Sequence, residues 1–238
     1  MGTKALHVMV VVLMSLAAVS CTGGAPDSDE SVPTPGASTS AAAEPTDRLE
    51  NRLASLTDLE GRPLYIEPES RTRALLEAGS TPPPVEPTYS PTECAPPQEF
   101  TPPPESLEGV WGRSNLNDGE YRLEVWIYTA PEEELVEYLI PSDVEVDALC
   151  QDFAFSFSGI TQNFSYTLRD SPPVAPHAQR YHYTVTQDGS TTRYVTIAAV
   201  NGTVATVVTL STDEPADRAM SDAILRLAQQ ATQRIDEE

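Results

Sequence analysis

The chain has 238 residues, 36 of them acidic and 14 basic, for a formal net charge of -22, and Lys4 is its only lysine. That balance argues against nucleic acid and against anionic lipid headgroups as partners. It is also what solubility in water selects. Hydrophobic residues make up 39% of the chain, part of them in the first twenty positions, so one domain with a modest core is expected.

Lys4 and the free amine form a short positive start, Ala5 to Val19 is apolar, and small residues follow. This is the layout of a secretory signal peptide, and it is too short to span a bilayer comfortably. The run Leu16-Ala17-Ala18-Val19-Ser20-Cys21 resembles the lipobox of bacterial lipoproteins, with Ala18 in place of the usual leucine. The resemblance implies that residues 1–20 are removed and that Cys21 becomes a lipidated N-terminus. Two acyl chains at one residue would hold the chain on a membrane stably. A cleaved signal leaving a free thiol, or an uncleaved anchor, are the alternatives.

Residues 21–46 are rich in Ser, Pro, Thr, Ala and Gly and poor in apolar side chains. Such a segment cannot bury enough surface to offset its ordering entropy, which predicts a disordered tether. Residues 47–105 read as a helical and proline-rich N-terminal part of the domain. Leu49, Leu53 and Leu56 recur at helical spacing. A second helix is expected over Glu69–Ala78, with Ser70 as N-cap and Gly79 as its stop. The prolines of 81–104 predict an extended loop around Cys94.

Residues 106–238 read as an antiparallel sheet with a C-terminal helix. Leu107–Arg113 and Glu120–Tyr128 are strand candidates around Asp118-Gly119. Tyr121, Leu123, Val125 and Ile127 occupy one face of the second strand, and Arg122, Glu124 and Trp126 the other. Thr129 with Glu132 resembles a capping box opening a helix to about Leu139, ended by Pro141. Ser142 or Asp143 should cap a further turn carrying Leu149 and Cys150. Phe153, Phe155 and Phe157 alternate as in a strand. Four strands then follow: Gln162–Arg169, Gln179–Thr186, Thr191–Val200 and Thr203–Leu210. Asp188-Gly189 and Asn201-Gly202 are expected to make I′ turns between the last three. A final helix over about Pro215–Ile235 lines up Met220, Ile224, Leu227, Ala231 and Ile235. The fold class is α+β: a twisted antiparallel meander with helices packed on one face, in a single domain.

Cys21, Cys94 and Cys150 are the three cysteines. With Cys21 acylated, Cys94 and Cys150 form an even pair suited to a disulfide in an oxidising compartment. Two buried thiols are the alternative. A metal site fits poorly, because neither cysteine has a Cys or His neighbour at ligand spacing.

No catalytic constellation stands out. The mature chain has His177, expected in a loop, and His182, expected in a strand opposite Tyr181 and Tyr183. No Gly-x-Ser-x-Gly elbow accompanies them. Glu132, Glu133 and Glu134 are consecutive and suit the positive end of a helix better than a pair of catalytic acids. Asp213 and Glu214 invite the same reading. Asp143, Glu145 and Asp147 lack the glycine and spacing of a calcium loop. The sequons at Asn163 and Asn201 read as coincidental. Among the strand aromatics, Trp126 and Tyr128 share a face with charged residues. They are the candidate ligand-binding positions if that face lines a groove, and packing residues if helices cover it.

The order of elements resembles that of actinobacterial extracytoplasmic sensor-like domains, such as the outer domain of the mycobacterial serine/threonine kinase PknH. The resemblance covers roughly residues 70–235. It rests on Pro91-Thr92-Glu93-Cys94-Ala95, Val125-Trp126-Ile127-Tyr128, Leu149-Cys150-Gln151-Asp152-Phe153, the paired hairpins, and the closing helix with Ala228-Gln229-Gln230. The kinase domain carries two disulfides where this chain can form one. The resemblance implies a ligand-sensing or partner-binding domain with a central cleft and no known ligand; joined to the lipobox-like run and the lack of a catalytic motif, it leads to the expectation of a non-enzymatic lipoprotein, without cofactor, on the outer face of the cell membrane. The partner would be a small ligand or an envelope protein. A structural or chaperone-like lipoprotein of envelope assembly is the alternative, and a hydrolase with an unrecognised site comes last.

Overall fold

The computed structural model describes residues 45–79, 87–95, 103–114, 121–140, 150–216 and 218–233. Cys21, the expected tether up to residue 44, the Asp118-Gly119 turn, the segment with Asp143, Glu145 and Asp147, and Ile235 lie outside them; the last two residues assigned to the tether, Pro45 and Thr46, open the first helix instead. The described elements are helix α1 (Pro45–Ala54), β1 (Tyr65–Ile66), α2 (Glu69–Gly79), β2 (Thr88–Ser90), a 3-10 turn (Thr92–Cys94), β3 (Glu108–Arg113) and β4 (Tyr121–Thr129). There follow α3 (Glu132–Leu139), β5 (Asp152–Phe157), β6 (Ile160–Asp170), β7 (His177–Gln187), β8 (Ser190–Asn201), β9 (Val204–Thr212) and α4 (Arg218–Ala231). The strands form one nine-stranded sheet in the order β1-β3-β4-β9-β8-β7-β6-β5-β2, with every neighbouring pair antiparallel. The α+β class and the meander of the last strands are as expected.

The helices differ from expectation: they cover both faces. On the first face α1 and α4 bring Leu49, Leu53, Ile224, Leu227, Ala228 and Ala231 against Leu123, Val125, Ile127, Ile197, Val208 and Leu210. Arg52 of α1 donates to the carbonyl of Ala231 at 3.1 Å, which ties the two helices together at the C-terminal end of α4. On the second face α3 brings Leu135, Tyr138 and Leu139 onto Trp111, Trp126, Tyr128, Ala198, Val200 and Val207, and Leu75 and Leu76 of α2 join them. The reason is in β4, which carries large apolar side chains at odd and at even positions. A strand apolar on both faces needs cover on both.

Local turns show which side chains decide. Ser158 and Gly159 both take positive φ between the paired residues Phe157 and Ile160, as do Asp188 and Gly189 between Gln187 and Ser190. Both are two-residue loops of the I′ kind. The Asn201-Gly202 loop is shifted by one residue. Asn201 pairs with Val204, so the loop is Gly202-Thr203 with positive φ only at Gly202, the II′ pattern. The amide of Asn201 is taken up instead by the carbonyl of Thr232.

Three expected caps are also corrected. Arg71 and Thr72 both donate to the carbonyl of Pro68, so α2 starts at Glu69 and Ser70 lies within its first turn. Thr129 remains in β4, opposite Val204, and its hydroxyl donates to the Thr203 carbonyl. The α3 helix opens after Pro131 with no side-chain cap. Asp213 and Glu214 precede α4 by a turn held by the Thr212 hydroxyl, and no acid occupies the first turn of α4.

Candidate functional site

Register builds a polar row across the second face. Tyr65 lies opposite Arg113, Arg113 opposite Glu124, Glu124 opposite Thr209, Thr209 opposite Thr196, and Thr196 opposite Tyr181. Strand alternation gives these residues one common face. One neighbouring row runs Arg122, Ser211, Tyr194, Tyr183. The other runs Trp111, Trp126, Val207, Ala198, Gln179 and is mostly apolar.

Charge is concentrated at the β1–β3–β4 end of these rows. Glu67, buried just beyond β1, has its carboxylate 2.5 Å from Arg113 Nε and 3.4 Å from Arg71 Nη1. Arg122 Nη2 lies 2.7 Å from Glu124 Oε1. The Glu124 carboxyl is nonetheless pushed up from the usual carboxylate range. Burial is the largest cause and outweighs the opposing pull of Arg122 and Arg113. Arg71 and Arg113 also stand 5.5 Å and 5.9 Å from the centroid of the Trp111 ring, and Arg113 stands 5.5 Å from that of Tyr65.

Further along the same face, Thr196 and Thr209 share a hydroxyl–hydroxyl hydrogen bond of 3.2 Å, and Tyr181 donates to Gln179. Tyr183 and Tyr194 stack at 4.8 Å, and burial raises both phenols. An aromatic cluster of Phe153, Phe164, Tyr181, Tyr183 and Val185 then packs on Cys94. Cys94 is disulfide-bonded to Cys150 across 56 residues, with Cα atoms 5.4 Å apart. The expected pairing is therefore present.

Trp126 and Tyr128, the residues singled out in the sequence, do not line an open groove. They continue a ring stack that begins at Trp111, with centroid spacings of 5.1 Å and 5.8 Å, and are 7% and 2% exposed beneath α3. Burial drives the Tyr128 phenol well above its ordinary range and that of Tyr138 to about 12.

The histidines do not meet. His177 opens β7 instead of sitting in a loop, and its Nε2 stands 3.6 Å from Glu132. His182 lies on the opposite face of the same strand, across from Val195, with its imidazole pKa lowered by burial and by Arg180. Two imidazoles on opposite faces of one sheet cannot serve one site. Asn163 is exposed on β6. Glu67, Arg71, Arg113 and Glu124 were not singled out from the sequence. The only local signal was an arginine or glutamate alternating with apolar residues inside β3 and β4.

The rows offer guanidinium N–H donors, one carboxyl that holds its proton above the ordinary range, and tyrosine and threonine hydroxyls. That set can fix the orientation of a polar ligand. No histidine belongs to it.

No family model matches this chain, and no curated protein is similar to it. Several solved chains resemble it, two of them mycobacterial proteins. One is an uncharacterised protein of Mycobacterium smegmatis, the Rv0999 ortholog, at 16% identity and a TM-score of 0.41, over 71% of this chain and 83% of that one. The other is the extracellular domain of PknH from Mycobacterium tuberculosis, at 11% identity and a TM-score of 0.40, over 70% of this chain and 92% of that one. Neither likeness assigns a residue or a ligand to this chain.

Proposed function

We propose that this chain is a membrane-tethered, extracytoplasmic lipoprotein whose α+β domain binds a small ligand or a protein partner and performs no chemistry of its own. The observation that carries the binding reading is the polar row from Tyr65 to Tyr181, set beside the mostly apolar row that runs from Trp111 to Ala198. Buried hydrogen-bonding groups lower stability unless they are used. The tether rests on the lipobox-like run ending at Cys21. Among the described residues no helix is long and apolar enough to cross a membrane.

Among the described residues the exposed large apolar side chains are few: Tyr65 and Ile160 stand out, on β1 and β6. A chaperone-like role would call for a broader apolar patch.

Two experiments test the reading. Native mass spectrometry of the full chain, extracted in detergent from its own host, should show a retained small molecule or a bound protein. A chain free of both, and free of any saturable ligand in an NMR screen, would sink the binding role. For the anchor, Cys21→Ser should move the protein from the membrane to the soluble fraction.

A further inference from the structure

Resting on the reading of Cys21 as a lipid anchor, we propose that the β5–β6 hairpin makes a second contact with the same membrane, dipping the side chains of Phe157 and Ile160 into its apolar interface. Residues 153–166 carry no Asp, Glu, Lys, Arg or His, in a chain of which 21% is charged. Phe157 and Ile160 pair across the turn Ser158-Gly159, and strand alternation puts them on one face with Phe153 and Phe155. The apolar side chains of that face grow more exposed towards the turn. Phe153 is buried in the aromatic cluster beside the disulfide, Phe155 and Phe157 are half-buried, and Ile160 is 51% exposed. The ring of Phe155 stands 6.5 Å from that of Phe157 and 5.4 Å from that of Tyr89 on β2. Ring contacts thus hold the tip on a base that the Cys94–Cys150 disulfide fixes. Among the described residues Tyr65 is the other exposed large apolar side chain, and Arg113 stands over its ring.

The neighbouring hairpin gives the contrast. The turns of β5–β6 and β7–β8 lie at the same end of the sheet, where Gln162 and Gln187 join across the strands by a 2.8 Å hydrogen bond. Both turns have two residues with positive φ, but the second carries the exposed Asp188 between Gln187 and Ser190. Lipid favours Phe and Ile and strongly disfavours a carboxylate, so the two tips differ in the one property that insertion selects. The peptide groups beside the β5–β6 turn pair with each other, and shallow burial leaves few of them unmet. A second copy of the chain is a poorer occupant, because each brings a net charge of -22 towards the other. The tether permits the contact. From Cys21 to Pro45 the chain takes 45 − 21 = 24 steps, enough to span at most about 80 Å when fully extended. A domain already held at the surface sees lipid at high effective concentration, so two apolar side chains suffice where they would fail for a free protein.

The test uses the full chain, purified in detergent from its own host and reconstituted into phosphatidylcholine vesicles with or without bromine on the acyl chains. Trp111 and Trp126 are 1% and 7% exposed, so a tryptophan added at the tip reports separately from them. Phe157→Trp and Ile160→Trp should each lose at least half of the added emission to the brominated lipid. Ser190→Trp, at the equivalent position of the neighbouring hairpin, should lose little. Adding Ile160→Asp to Phe157→Trp should remove the quenching while the chain still floats with the vesicles, and adding Ile160→Leu should keep it. The proposal is overturned if floating chains show no quenching at 157 and 160, if Ser190→Trp is quenched as strongly, or if Ile160→Asp leaves the quenching in place. Shielding of the tip that grows with protein density, without quenching by bromine, would put a second copy there and overturn it too. A chain that stays behind when the vesicles float defeats the anchor and the proposal together, whereas a floating, unquenched chain defeats the proposal alone.

Discussion

Trp111 of β3 and Trp126 of β4 face each other across the strand pair with their ring planes 5° apart and centroids 5.1 Å apart. They are the only two tryptophans in the chain. Two indoles this close should couple electronically. The circular dichroism of the native chain is expected to carry a coupled tryptophan signal, strongest in the intense indole band of the far-ultraviolet, and Trp126→Phe should abolish it while leaving the amide infrared signature of the sheet unchanged. A spectrum for the variant equal to that of the native chain would contradict the stack.

The stack depends on an absent side chain. A Cβ on Gly109 would meet Cδ1 of Tyr128 at 2.8 Å, and Tyr128 is held between Trp126 and α3 with no room to retreat. Gly109→Ala should therefore destabilise the chain by about 1–3 kcal/mol, as overpacking of a core does. Chemical denaturation measures this directly.

Leu53 is fully buried between α1 and the first face of the sheet. Leu53→Ala should cost about 2–5 kcal/mol, as other buried leucine truncations do. A different change at the exposed neighbour, Ala54→Gly, tests helix propensity instead, and should cost no more than about 1 kcal/mol.

The disulfide between Cys94 and Cys150 closes a long loop over the aromatic cluster. Loop-closure entropy puts its contribution at roughly 4 kcal/mol. Replacing both cysteines by serine should lower the denaturation midpoint accordingly, and a reducing agent should have no effect on that variant.

Glu124 gives a pH dependence with a definite sign. Its folded-state pKa is raised, so between the unfolded carboxylate value and the folded one the native state holds more protons than the unfolded chain. Stability from this group is full below the ordinary carboxylate pKa and is lost as pH rises through the folded value. Stability of the native chain minus that of Glu124→Gln should therefore fall as pH is raised from 4 towards neutrality (a range set by the usual pKa of about 4.3). A difference that rises with pH would mean that Arg122 and Arg113 outweigh burial.

The meander was legible because β6 to β9 alternate with period two and are joined by small turn residues, and the Asp188-Gly189 turn formed as its sequence requires. The neighbouring Asn201-Gly202 was misread by one position, because a glycine can open a II′ turn as readily as close a I′ turn. The placement of the helices was missed on one face, although the aromatic residues of β4 at even positions already called for cover. The polar row was out of reach. It needs β4 to lie beside β9, a neighbour 75 or more residues away, and no local pattern encodes that pairing.

The two ends of the sheet carry its shortest strands, β1 with two residues and β2 with three. An incoming chain would find only a few unpaired peptide groups to bind there, too few to template a longer ladder. Among the described residues, copies packed side by side at high surface density would thus meet short outer strands, a poor template for a shared ladder, and the long strands β6 to β9 keep both their neighbours within one molecule.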